Sequence, residues 1–146
     1  MKHRGPDDEG YLLIGKTFRE YGGHDSKVDL PQLKPQKDTI IALGHRRLSI
    51  IDVSSSWHQP MCNENRAVWV IFNCELYNYR ELRKELAMHS FRSDTDTEVL
   101  LHGYEEWGIE KLLDKMAGMW GLFHRRHAEK AGLPCERQIR NQTTLL

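Results

Sequence analysis

The sequence predicts one α+β domain, and three observations predict it. Short apolar runs rich in β-branched and aromatic residues recur at 11–15, 39–43, 48–53, 67–72 and 119–123, the composition that suits strands. Residues 80–88, 96–107 and 109–116 instead space their apolar side chains at helical period, as in Leu82 and Leu86 or Val99 to Trp107. Polar stretches with glycine or proline separate the runs. At 146 residues, such a chain can bury about two-thirds of the surface its unfolded form exposes.

Composition narrows the function. The 21 basic residues balance the 21 acidic ones, so no net field draws the chain to nucleic acid or to a membrane surface. The expected partner is small. No apolar run approaches the roughly 18 residues of a membrane span, and the first residues lack the apolar core of a signal peptide, so a cytoplasmic location is expected. Cys62, Cys74 and Cys135 are odd in number and widely spaced, which predicts reduced thiols. The eight histidines form no His-Glu-x-x-His motif, so no metal is expected. There is no P-loop and no dinucleotide fingerprint, hence no nucleotide cofactor bound by a recognisable pattern.

In order, His3 to Gly10 is a turn and Tyr11 to Gly15 a strand, followed from Lys16 to Asp38 by a polar loop with no assigned chemistry. Thr39 to Leu43 and Leu48 to Val53 read as two strands flanking a Gly44-His45-Arg46-Arg47 step. A guanidinium beside buried strands needs a carboxylate, either an internal one or that of a ligand gripped through two parallel bonds. Both remain open at this point. Residues 54–60 are a loop, 61–66 a polar turn and 67–72 a buried strand. That strand ends on Asn73-Cys74-Glu75, an amide, a thiol and a carboxylate together; the alternative is a strand-to-helix turn capped by Asn78 with Glu81. Thr95 to Glu98 has capping-box spacing, and the helix dipole is expected to keep Asp96 ionised. Gly108 stops this helix, Gly118 ends the next, and residues 124–146 are expected to be a disordered tail outside a domain at 1–123. The tail is basic, but no aromatic residue interleaves its charges, so nucleic-acid binding is not expected.

Six stretches taken together carry a resemblance: HRGPDDEG at 3–10, GHRRLSIID at 44–52, QPM at 59–61, NCELYNYRELR at 73–83, SDTDTEVLLHGYEEWG at 93–108 and GMWGLF at 118–123. In order and spacing the chain resembles the glutaminase domain of glutamine-hydrolysing asparagine synthetases, a branch of the class II glutamine amidotransferases. The resemblance implies the N-terminal-nucleophile hydrolase fold, a four-layer αββα sandwich of antiparallel sheets, here incomplete. It implies glutamine as substrate, ammonia release for amide transfer to aspartate, and a synthetase domain as partner, to which ATP and Mg would belong rather than to this chain. It assigns Arg47, with backbone support from Leu48, Ser49, Ile50 and Ile51, to the glutamine α-carboxylate. Glu75 and Asp96 fall at the positions around the α-ammonium, and Asn73 with the backbone N–H of Cys74 at the oxyanion hole. Arg46 is left as a structural partner.

Two departures from the family pattern shape the expectation. The family's nucleophile is a cysteine with a free α-amine, whereas this chain begins Met1-Lys2 directly at the first motif, and Cys74 replaces the glycine of Asn-Gly-Glu. If that position needs φ > 0, a side chain costs roughly 1–2 kcal/mol. The expected product is therefore a glutaminase-domain fragment inactive on its own, against three alternatives: a non-catalytic glutamine-binding module, a synthetase-docking module, and a non-functional truncated gene product.

Overall fold

The structure is a computed structural model describing residues 2–48, 58–126 and 137–143, with side chains to residue 118 apart from that of Cys74. It divides into two compact units, Met1–Pro60 and Met61–Leu146.

The first unit is a three-stranded antiparallel sheet of β1 (Asp8–Ile14), β2 (Phe18–Gly22) and β3 (Ile41–Arg47), in the order β2-β1-β3. β1 is central and buried on both faces, with Leu12, Leu13 and Ile14 in the core. β2 falls within the stretch expected to be a loop. Its polar sequence FREYG hides the period of a strand, yet an edge strand draws its stability from backbone pairing, here from Gly10↔Gly22 to Ile14↔Phe18. β3 also departs from the expectation. The Gly-His-Arg-Arg segment is not a step between strands but the second half of β3, paired with β1 as far as Asp8↔Arg47. Leu48 then leaves the strand at 57% exposure, and the second expected run, from Ser49 to Val53, lies outside the described residues.

The second unit is an antiparallel sheet of β4 (Met61–Cys62), β5 (Val68–Leu76), β6 (Gly118–Arg126) and β7 (Arg137–Thr143), in that order, with helices α1 (Tyr79–Glu85) and α2 (Asp96–Lys115). Val68, Val70, Phe72 and Leu76 of β5 pack with Leu82 and Leu86, with Val99, Leu100, Leu101 and Tyr104 of α2, and with Leu112 beyond its break. Burial of this set supplies the main favourable term, at about 25 cal/mol per Å² of apolar surface. Thr95 caps α2, its hydroxyl accepting from the Glu98 N–H at 3.0 Å. The Glu98 carboxylate departs from a capping box by turning instead to the N–H groups of Arg92 and Ser93 and to the Ser93 hydroxyl.

Gly108, at φ 74 and ψ 172, breaks α2 where the sequence places the boundary between two helices. Asn78 does not cap α1 with its side chain. Its amide donates to the Lys115 carbonyl at 2.8 Å and accepts from the Ala117 N–H at 3.0 Å, tying the end of β5 to the start of β6. His124 to Arg126 continue β6, and β7 pairs with it from Met119↔Thr143 to Arg125↔Arg137, where apolar periodicity marks no element.

Candidate functional site

The adjacent arginines of β3 alternate across the pleat, and so acquire different surroundings. The Arg46 guanidinium binds the Glu9 carboxylate opposite it in the ladder, Asp25 at 2.8 Å and the Gly5 carbonyl at 2.8 Å. Asp25 lies in the stretch to which the sequence assigned no chemistry; Lys2 and Arg46 hold its carboxyl well below the usual carboxylate range. Arg46 thus forms an internal salt bridge with Glu9 and Asp25. Arg47 stands opposite Asp8 and is buried, 9% exposed. Asp8 is buried in turn, and although burial pushes its carboxyl up, the bonds from His58 Nδ1 at 2.9 Å and from the N–H groups of Lys27 and Glu9 bring it below its ordinary value. His45, shielded from water, has its imidazole pushed down to about 4.

In the second unit the structure brings the end of β5 against the first turn of α2. The pleat sends Phe72 and Leu76 into the core and leaves Asn73 and Glu75 exposed. Asp96 reaches the Leu76 N–H with its carboxylate at 3.4 Å. Burial raises the Asp96 carboxyl above its ordinary value, with the N–H groups of Leu76 and Thr97 pulling the other way. Desolvation thus opposes the helix dipole at this carboxyl. Opposite this corner, Gly118 pairs with Leu76, and a Cβ there would lie 2.2 Å from the Glu75 carbonyl oxygen. Only glycine permits that approach. Cys74 sits in regular strand paired with Trp120, and the described positive-φ residues other than glycine do not include it. The strain conditional on a left-handed backbone there does not arise.

Of the residues expected at the site, Arg47 and Leu48 belong to the first unit, and Asn73, Cys74, Glu75 and Asp96 to the second. Ser49, Ile50 and Ile51 lie outside the described residues. Within the second unit the partly buried Asp96 carboxylate reaches the Leu76 backbone beside exposed Glu75, and exposed Asn73 lies two residues before Glu75 on β5. Such a corner can receive a cation beside Glu75 and Asp96 and donate to an oxygen from Asn73. Gly118 and Asn78, which fix this corner, were not singled out as site residues, because their partners are distant in sequence.

A family of glutamine amidotransferase domains matches residues 33–133. Asparagine synthetase 1 (glutamine-hydrolyzing) of Bacillus subtilis is 40% identical over 122 residues, covering 82% of this chain and 15% of that protein. The Arabidopsis thaliana asparagine synthetase 1 is 34% identical, covering 84% of this chain and 16% of its own length. The Asparagus officinalis enzyme is 37% identical with the same coverage. The chain thus spans about a sixth of these relatives. Among solved structures, the glutamine phosphoribosylpyrophosphate amidotransferase of B. subtilis, complexed with ADP and GMP, superposes with a TM-score of 0.62 at 19% identity, over 86% of this chain and 30% of that one. That likeness establishes an incomplete α+β fold of the N-terminal-nucleophile hydrolase type.

Proposed function

The chain belongs to the glutamine amidotransferase family, and we propose that residues 1–146 supply the glutamine-holding and amide-polarising part of an asparagine synthetase glutaminase domain. The observation that carries this is the corner at which partly buried Asp96 meets the end of β5, the strand that carries exposed Asn73 and Glu75. Glutamine offers an α-carboxylate, an α-ammonium and a side-chain amide. A selective site therefore needs a cation, an anion and a donor to the attacked carbonyl.

Arg47 is the cation, its planar fork suited to a carboxylate, with Leu48, Ser49, Ile50 and Ile51 as backbone support. Glu75 and Asp96 face the ammonium. Asn73, with the N–H of Cys74, donates to the oxygen on which negative charge develops, where one such donor is worth about 3 kcal/mol in the transition state. Cys62, Cys74 and Cys135 are internal and carry no free α-amine, so none of them serves as the self-activated nucleophile. In the longer context of the relatives, the released ammonia passes to aspartate at a synthetase domain that carries ATP and Mg. The proposed site of action is the cytoplasm; among the described residues no helix is long and apolar enough to cross a membrane.

The test is a titration of the ¹⁵N-labelled chain with millimolar glutamine. Saturable shifts confined to Arg47, Leu48, residues 73–76 and residues 95–97 are expected. Shifts elsewhere, or an unaltered spectrum of a folded chain, would overturn the assignment.

A further inference from the structure

A second constellation is formed by Glu98 and His102 of α2 with Glu64 of the turn after β4. His102 is buried, its side chain 3% exposed, and its Nε2 has no hydrogen-bond partner. A buried imidazole nitrogen without a partner is costly and calls for an explanation. This nitrogen is aimed at two carboxylates: Glu98 Oε1 at 3.8 Å, one helical turn before it, and Glu64 Oε1 at 3.9 Å, from the turn after β4. Both distances exceed a hydrogen bond. They are close to the separation of donors that share a metal, about 3.4 Å when each lies roughly 2.1 Å from a tetrahedral ion.

The groups behind these atoms already form a supporting shell. Glu105 Oε2 meets the other ring nitrogen of His102, Nδ1, at 3.3 Å, and Glu105 is itself held by the buried Asn63 amide at 2.6 Å. A carboxylate on Nδ1 leaves the Nε2 lone pair free for a cation, the carboxylate–histidine–metal pattern of established sites. Glu98 is fixed by the N–H groups of Arg92 and Ser93, at 2.8 and 2.7 Å, and by the Ser93 hydroxyl. The competing cation is the Arg92 guanidinium, 63% exposed and 3.9 Å from each carboxylate, with Nη2 donating to the Cys62 carbonyl. It forms no hydrogen bond to either carboxylate, so a divalent ion can displace it by moving one solvent-exposed side chain.

We propose that Glu64, Glu98 and His102 form a binding site for a divalent first-row transition metal, with Glu105 as the residue that orients His102. One imidazole with two carboxylates suits zinc, cobalt or manganese better than calcium or magnesium, which prefer oxygen alone. Linear motifs gave no hint of it, because Glu64 comes from a separate turn. The only local trace is the Glu98-x-x-x-His102 spacing on one helix face.

Titrating the full chain with Co²⁺ tests this by the visible absorption of the bound ion. One equivalent is expected to bind saturably. Glu64→Gln alters an exposed turn residue and leaves the fold intact, and is expected to weaken binding at least about tenfold; His102→Gln abolishes it, while Glu105→Gln weakens it and shifts the spectrum. Absence of saturable binding to the folded chain would overturn the proposal. So would binding that Glu64→Gln and His102→Gln leave unchanged, which would place the ion on other histidines.

Discussion

Asp96 and Glu98 lie two residues apart at the start of α2 and titrate in opposite directions for physical reasons that can be tested. Burial raises the Asp96 carboxyl, so the stability it contributes is fully present below its ordinary pKa and is lost as pH rises through the raised value. Asp96→Asn is therefore expected to melt no lower than the parent at neutral pH, to flatten that rise-dependent loss, and to weaken glutamine binding by at least about tenfold. A variant that loses stability while keeping affinity would make Asp96 purely structural. Glu98 is pushed up by burial, but the nearby His102 imidazole and the bonds from Arg92 and Ser93 outweigh this and hold it at about 2. Its contribution is present above the ordinary carboxylate pKa and disappears as pH falls through about 2. Melting curves of Glu98→Gln should show a loss of about 2 kcal/mol at neutral pH and a shallower acid limb. Residues whose partners are local in sequence were legible in advance: the Thr95 cap follows from spacing alone. The Asp96 shift was not, because its cause is packing against β5 rather than the helix it begins.

At the scale of elements, the two glycines that bound the later part of α2 and β6 act in different ways. Gly108 has φ 74 with nothing near its missing Cβ, so Gly108→Ala tests backbone strain alone. Urea denaturation is expected to show a loss of about 1–2 kcal/mol, with no change in ligand binding. Gly118→Ala would place a methyl against the Glu75 carbonyl; the displaced strand end should cost glutamine affinity as well as stability. Asn78→Ala removes two bonds to the segment before β6 and should cost about 1–3 kcal/mol. Helix positions, the break at Gly108 and the strands β1, β5 and β6 were readable from periodicity. β2 and β7 were not, since edge strands held by backbone pairing need no apolar alternation. The role of Asn78 escaped notice because a capping position and a bridge to residues 115 and 117 look identical in a sequence.

For the whole molecule, the six motifs that carry the family resemblance are distributed over both compact units. Arg47 is presented by β3 of the first unit, and Asn73, Glu75 and Asp96 by the corner of the second. The pleat separates Arg46 from Arg47: Arg46 is held by Glu9 and Asp25, Arg47 is buried opposite Asp8, and the proposed function gives Arg47 the α-carboxylate of glutamine. Calorimetric titration of the purified chain with glutamine, beside Arg47→Ala and Arg46→Ala, tests this most directly. Saturable binding that Arg47→Ala weakens at least about tenfold, in a variant that remains folded, is the predicted result. Arg46→Ala should instead lower the melting temperature by breaking the Glu9–Asp25 network. Binding that survives Arg47→Ala unchanged, or no heat of binding from a folded chain at millimolar glutamine, would contradict the account.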